Sequence, residues 1–339
     1  MVINMRRIIK LPPAERAELF DIAAAKMKIP SGLIEKDFWV CYVLDVLFHK
    51  LAFKNGFSFK GGTCLSKAFG LIERFSEDID LVMDWRLLGY TETEPWNDRS
   101  NTAQEKFKQD SIARTNAFLK DRFIPELIKT ICIDTELEAD ISLADEAETV
   151  LFKYPKIHSL PAVLDVIRLE IGPMAAWTPA NNVTIQSYLS ECIPGVIDSP
   201  KVVIRAVSPN RTFWEKVSIL HQESNRSESK KMPAGYSRHY YDVYKLGQSP
   251  VKTNALDNLD LLRKVLDFKM KFYRTPWAKF EEAIPGSICL LPPDYRIPEI
   301  AKDYEIMQEM LFGDRPQFHE IHEYLQLLEE ELNSKRNIT

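Results

Sequence analysis

The chain has 339 residues, 45% apolar and 27% charged, with a net charge of -5. That size can bury a core without staples, and the composition excludes a disordered chain and a protein coated in positive charge. Five cysteines (Cys41, Cys64, Cys132, Cys192, Cys289) are odd in number and lack CxxC spacing, which argues against a disulfide framework or a zinc cluster. Met1 to Lys10 has no signal-peptide core and no run reaches membrane-spanning length, so a cytoplasmic protein with no membrane partner is expected.

From Ser31 to Lys50 the recurrence of Leu33, Ile34, Phe38, Val40, Val43, Leu44, Leu47 and Phe48 predicts a helix opened by a capping Ser31. A short strand, FSFK, then meets Gly61-Gly62-Thr63 and a helix over LSKAFGLI, with Leu65, Ala68, Phe69 and Ile72 on one face. FSEDIDLVM alternates as a strand with Ser76, Asp78, Asp80 and Val82 on one side. Gly89 to Asn101 reads as an exposed excursion, followed by helical spacing to Thr130. Ala162 to Gly172 is a third strand candidate closed by Gly172-Pro173. Beyond about residue 205 the pattern is mostly helical. The expectation is an α/β (α+β) fold with a mixed sheet over residues 1–205, followed by an α-helical C-terminal domain over 206–339.

The run Phe59 to Met83 carries the chemistry. Gly61 and Gly62 permit close backbone approach, and a turn feeding a helix start suits phosphate. Asp78 and Asp80, two apart on a strand, project from one face and can grip a hard cation together. Glu170 is the candidate third carboxylate, with Asp165 in reserve; by strand parity only one of them can face the pair. Lys67, Arg74 and Ser76 stand close enough in sequence to be phosphate neighbours, and Thr63 can cap the helix or contact phosphate. Alone, a GG turn is usually a tight turn and a DxD pair is usually solvated surface. In a strand–GGT–helix–strand–DxD order, they resemble the nucleotidyltransferase superfamily, the fold shared by DNA polymerase β.

The residues GGTCLSKAFGLIERFSEDIDL resemble the first motif block of the AbiEii/AbiGii toxin family, nucleotidyltransferase-like toxins that include the MenT toxins. IEKDFWVCYVL, RTFWEKVSILH, SRHYYDVYKL and the C-terminal stretches DYEIMQEMLFG and FHEIHEYLQLLEEELN are similar to later or flanking blocks, in family order. The polar stretch around Tyr90 to Asn101 is a departure that touches no motif residue. The resemblance implies metal-binding roles for Asp78 and Asp80 and catalytic or nucleotide-contacting roles for Lys216 and Asp242, with Lys216 expected to neutralise charge developing on the phosphates and Asp242 to orient or deprotonate a reacting hydroxyl. Lys216 lies in an aromatic and apolar helix, where its ammonium can be directed at triphosphate oxygens or simply snorkel to the surface. Asp242 is four residues from Arg238 and can pair with it; alternatively Arg238, His239 and Asp242, among Tyr236, Tyr240, Tyr241 and Tyr244, can hold a base or ribose. His221 reads as structural.

The resulting expectation is a toxin of a toxin-antitoxin or abortive-infection system that moves a nucleoside monophosphate from an NTP to an acceptor, with Mg²⁺ (or Mn²⁺) and release of pyrophosphate. The resemblance makes tRNA the expected acceptor and implies a cognate antitoxin protein. Lys201 to Lys245 holds nine basic and four acidic residues, which would receive a polyanion if they shared a face and is otherwise an ordinary solvated surface. Rival readings keep the fold and change the acceptor to a small-molecule or protein hydroxyl, move the γ-phosphoryl group instead, or make the chain a non-catalytic nucleotide-binding module. The presence of Asp78, Asp80 and Lys216 counts against the last of these.

Overall fold

A computed structural model describes residues 4–76, 78–159, 164–173, 178–198 and 200–335. Glu77 of the second predicted strand and Ala162 and Val163 of the third lie outside them, as do Met1 to Ile3. The described chain falls into two compact units, Met1–Ala68 with Glu77–Val207, and Phe69–Ser76 with Ser208–Thr339. The division is therefore not the single cut at 205/206 that the sequence suggests, because eight residues between the glycine turn and the acidic strand group with the helical unit.

The first unit is an α/β structure around one mixed seven-stranded sheet. Its helices are α1 (Met5–Ile9), α2 (Pro13–Met27), α3 (Ser31–Asp45), α4 (Gly61–Lys67), α5 (Asn101–Phe118), α6 (Ile124–Thr135) and α7 (Tyr188–Cys192). Its strands are β1 (Phe57–Lys60), β2 (Asp78–Met83), β3 (Asp140–Leu143), β4 (Thr149–Lys153), β5 (Ile167–Gly172), β6 (Ala180–Ile185) and β7 (Val202–Val207). The order across the sheet is β3-β4-β5-β2-β1-β7-β6. Phe57, Phe59, Ile79, Leu81, Leu169 and Ile171 alternate onto the buried face, as a two-residue period requires. The helix α3 is buried nearly all round, through Phe38, Trp39, Tyr42 and Leu44, so it behaves as a core helix rather than an amphipathic one. Ser31 does not cap it: the position before the helix is Pro30, and the Ser31 hydroxyl donates to Asp21 at 2.5 Å.

Two further expectations change for local reasons. Helix α4 stops at Lys67, with Ala68 closing it and Gly70 in the left-handed region (φ +60°), so Phe69 and Ile72 do not continue its face. Asp165 precedes β5 and ion-pairs with Lys156, so it is not a strand residue.

The second unit contains α8 (Pro209–Ser224), α9 (Ser237–Gly247), α10 (Pro250–Leu256), α11 (Leu259–Phe272), α12 (Ile297–Met307) and α13 (Phe318–Ser334). Ser208 accepts from the Asn210 amide and Pro209 occupies the first turn, a strong start for α8. The stretch that reads as one helix across residues 254–274 is two, because Asn258 accepts from the Leu261 amide and caps α11. Asp303 accepts from the amides of Gly235 and Ser237 at 2.7 and 2.9 Å and fixes the entry of α9. Segment Phe69–Ser76 is tied into this unit by backbone bonds from Phe75 N to Met310 O and from Phe312 N to Glu73 O. Among the described residues no helix is long and apolar enough to cross a membrane.

Candidate active site

In the first unit, the glycine turn and the acidic strand form one piece. Gly61 has φ +80°, and a Cβ built on it would stand 1.8 Å from Asp80 Oδ2. Only glycine fits there, both for its backbone and because the Asp80 carboxylate lies directly over it. The close approach that the glycine allows is thus to the protein's own acid. Thr63 neither caps α4 nor is left for phosphate alone: its hydroxyl donates to the Asp78 carbonyl oxygen at 2.5 Å, fastening the start of β2. Gly62 is buried within the same turn.

The sheet register places the carboxylates. β2 runs parallel to β5 with Asp78 opposite Arg168 and Asp80 opposite Glu170, while β1 sets Lys60 opposite Asp80. Asp78, Asp80, Arg168, Glu170 and Lys60 therefore share one face, and Glu170, in register with Asp80, is the carboxylate beside the pair, whereas Asp165 lies before the strand. Arg168, which sequence reasoning passed over, lies among these acids: its guanidinium is 3.5 Å from Asp78 Oδ1, 3.3 Å from Glu170 Oε1 and 2.7 Å from Glu146 Oε2. Its position in alternation with Glu170 was the signal available for finding it. Glu148, also missed, has its carboxylate within 3.6 Å of where a Gly172 Cβ would stand, and burial pushes its acid up. Asp78, Asp80 and Glu170 are of the donor type that a hard divalent cation takes and lie on one face of the sheet. The countercharge on this face comes from Arg168 and Lys60, and among the described residues no three His, Cys, Asp or Glu side chains converge closely enough to hold a metal ion.

Lys67 is not on that face. It is a buried ion pair with Asp37, 2.8 Å from Nζ to Oδ1, under the Tyr188 ring at 3.6 Å. Its expected place beside phosphates is corrected accordingly: an ammonium so enclosed anchors α4 to α3.

The second unit builds a buried charge network. Arg74, from segment Phe69–Ser76, donates through Nε and Nη2 to the two oxygens of Asp242 at 2.7 and 2.9 Å. Lys216, on α8, reaches Asp242 Oδ2 at 2.9 Å and His239 Nδ1 at 3.0 Å. Asp242 is fully enclosed and Arg74, Lys216 and His239 are nearly so. Neither of the two simpler arrangements holds: Asp242 pairs with Arg74 and Lys216 rather than with Arg238, which is exposed, and Lys216 does not snorkel. Ser76 ends the same segment, half-buried. Tyr240 and Tyr241 are buried in the unit's core and Tyr244 packs edge-on against Tyr324, so three of the four tyrosines are packing residues rather than stacking platforms. His221 is structural, with Nε2 at the Lys279 carbonyl and Nδ1 accepting from the Cys289 amide.

Electrostatics follow from this enclosure. Burial alone would raise the Asp242 carboxyl, but Arg74 and Lys216 outweigh it and hold the acid well below the usual carboxylate range. Burial lowers Lys216 below the ordinary lysine value, with Asp242 opposing it. Burial, helped by the positive charges of Lys216 and Arg238, holds His239 far below an ordinary histidine, so its ring is neutral. The basic stretch between Lys201 and Lys245 is not one free cationic face: Arg211 pairs with Glu215, Arg226 with Glu223, and Lys216 with Asp242.

A family model described as the nucleotidyl transferase AbiEii toxin of type IV toxin-antitoxin systems matches residues 45–329. The chain belongs to the AbiEii toxin family. This AbiEii member is accordingly a nucleotidyltransferase of a type IV toxin-antitoxin system, with a nucleoside triphosphate as substrate and an antitoxin as counterpart. MenT4, a nucleotidyltransferase toxin from Mycobacterium tuberculosis H37Rv, is similar in structure over 94% of this chain and 99% of that one, with 13% identity and a TM-score of 0.47. No curated protein matches the chain in sequence.

Proposed function

We propose that this AbiEii toxin transfers a nucleoside monophosphate from an NTP to tRNA, using Mg²⁺ or Mn²⁺ and releasing pyrophosphate. The observation that carries the reading is the Asp80 carboxylate lying on Gly61, which makes the glycine turn and the acid pair a single rigid device. In the reaction an acceptor hydroxyl oxygen gives up its proton to solvent and attacks the α-phosphorus, the bond from that phosphorus to the oxygen bridging the β-phosphate breaks, and pyrophosphate leaves with the electron pair. Asp78, Asp80 and Glu170 are the residues that would hold the cation. Bound there, it supplies Lewis-acid neutralisation of phosphate charge and a lowered hydroxyl pKa. Gly61 to Thr63 hold the acids in place and orient the triphosphate.

Lys216 neutralises charge developing on the phosphates. Asp242 serves by fixing Lys216, since a carboxyl held so far below the ordinary range is a poor proton acceptor at neutral pH. Arg74 is Asp242's clamp rather than a free phosphate ligand, and Arg238, exposed on α9, is the cation there open to nucleotide or RNA phosphate.

The test is label transfer. Purified protein is incubated with Mg²⁺, total tRNA and each α-labelled NTP in turn, beside Asp80→Ala. Label on tRNA with the wild type, reduced about a hundredfold or more in the variant, is the expected result. Label on protein or on a small molecule would replace the acceptor, and movement of γ-label alone would overturn nucleotidyl transfer.

A further inference from the structure

The buried network in the second unit contains one group that the reaction above does not use, His239. Its side chain sits on α9, three residues before Asp242, so both reach the same flank of α8. Lys216 Nζ lies 3.0 Å from His239 Nδ1 and 2.9 Å from Asp242 Oδ2. An ammonium has three N–H bonds and no lone pair, so it must be the donor in both contacts. The histidine is then an acceptor at Nδ1 and carries its proton on Nε2. The edge of its ring is set by Tyr236, 5.0 Å away at 86°.

We propose that His239 is a positioning residue for Lys216: together with Asp242 it fixes two of the ammonium's N–H directions and thereby aims the third at the substrate phosphate. This rests on the reading that Lys216 acts on the triphosphate. With only Asp242 as partner, Lys216 would keep rotational freedom about that single contact, and its remaining N–H bonds would sweep a cone. With two fixed partners, tetrahedral geometry leaves one direction. The choice of histidine also has an electrostatic reason. Arg74 and Lys216 carry two positive charges against one negative charge on Asp242, and a neutral acceptor leaves that surplus for an anionic ligand, whereas a second carboxylate would cancel it. The charged and titratable groups around the pair are Asp242, Arg238 and Arg74, with Tyr236 against the ring. The positive ones all disfavour a protonated histidine.

The decisive experiment reads the tautomer directly. The chain has six histidines, and in full-length protein labelled with ¹⁵N-histidine the His239 signals are those lost in His239→Asn. A long-range ¹H–¹⁵N spectrum is expected to show a bare Nδ1 and a protonated Nε2, unchanged from about pH 8 to about pH 6. In Lys216→Met the same ring should lose that constraint and mix tautomers. A proton on Nδ1 in the wild type, or a spectrum indifferent to Lys216→Met, overturns the proposal. Kinetics supply the second arm. His239→Leu should lower kcat/KM for NTP by about tenfold to a hundredfold, the scale of one hydrogen bond to a charged group. His239→Asn places an amide oxygen near the Nδ1 position and should recover to within about threefold. Equal loss in both variants at equal thermal midpoints overturns the positioning role. Wild-type protein that moves no α-label onto any acceptor would instead sink the proposed reaction, and the spectrum would still decide the Lys216 and His239 pairing.

Discussion

The two units hold charge in opposite ways. On the sheet of the first, Asp78 and Glu170 are roughly a third to a half exposed and come from strands paired side by side, with Arg168 between them. In the second, Asp242 is wholly buried, and its two partners arrive from separate stretches: Arg74 from segment Phe69–Ser76 and Lys216 from α8. A half-exposed carboxylate can be altered at small cost to folding, because water takes over its solvation. A buried one cannot, because its removal strands two cations. Function and stability are therefore separable in the sheet unit and fused in the helical unit.

Three changes would break or sharpen that contrast. The largest effect is expected from Asp242→Asn, which leaves Arg74 and Lys216 enclosed without their counterion and should cost about 3–5 kcal/mol of unfolding free energy. Chemical denaturation measures it, and a midpoint within error of wild type would mean that the network contributes nothing to the fold. Next is Gly61→Ala. A left-handed backbone and a Cβ driven into Asp80 should together cost about 1–3 kcal/mol and displace the carboxylate, so label transfer should fall further than the stability loss explains. A fully active Gly61→Ala protein would refute the rigid coupling of turn and acid. The smallest effect is acid-dependent. His239 and His221 are both held below the ordinary histidine value in the folded chain, while the unfolded chain protonates near pH 6.5 and so binds more protons just below it. The stability they contribute is complete above that pH and is lost as pH falls toward their depressed folded values, by up to about 1.4 kcal/mol per unit for each site. Thermal midpoints between about pH 7 and 5 should fall less steeply in His239→Asn than in wild type.

The acidic pair and its glycine turn were legible because they are local. Spacing of two on a strand sets the shared face of Asp78 and Asp80 whatever the rest of the chain does, whereas the parity argument between Glu170 and Asp165 does not apply, because Asp165 precedes the strand. The helices of the second unit were legible by period, apart from the break at Asn258, where a side-chain cap outweighs a continuous apolar pattern. The misplacement of Lys67 has a different origin. One turn after a glycine motif it looks poised for phosphate, and nothing nearby in sequence announces that Asp37, thirty residues earlier, is buried beside it. Arg74 is similar: adjacency to the acidic pair suggested a phosphate neighbour, but its bond is to Asp242, 168 residues away.

The sequence by itself determined the mixed sheet and helical regions, the turn-and-acid motif and the family. Those depend on periodicity and short-range order, which the backbone enforces within a few residues. The tertiary structure decided which charges are partners: Asp242 with Arg74 and Lys216 rather than Arg238, Lys67 with Asp37, Arg168 with the acids, His239 with Lys216. Ion pairs form wherever folding encloses opposite charges together in a low dielectric, and that enclosure is a property of the packed chain.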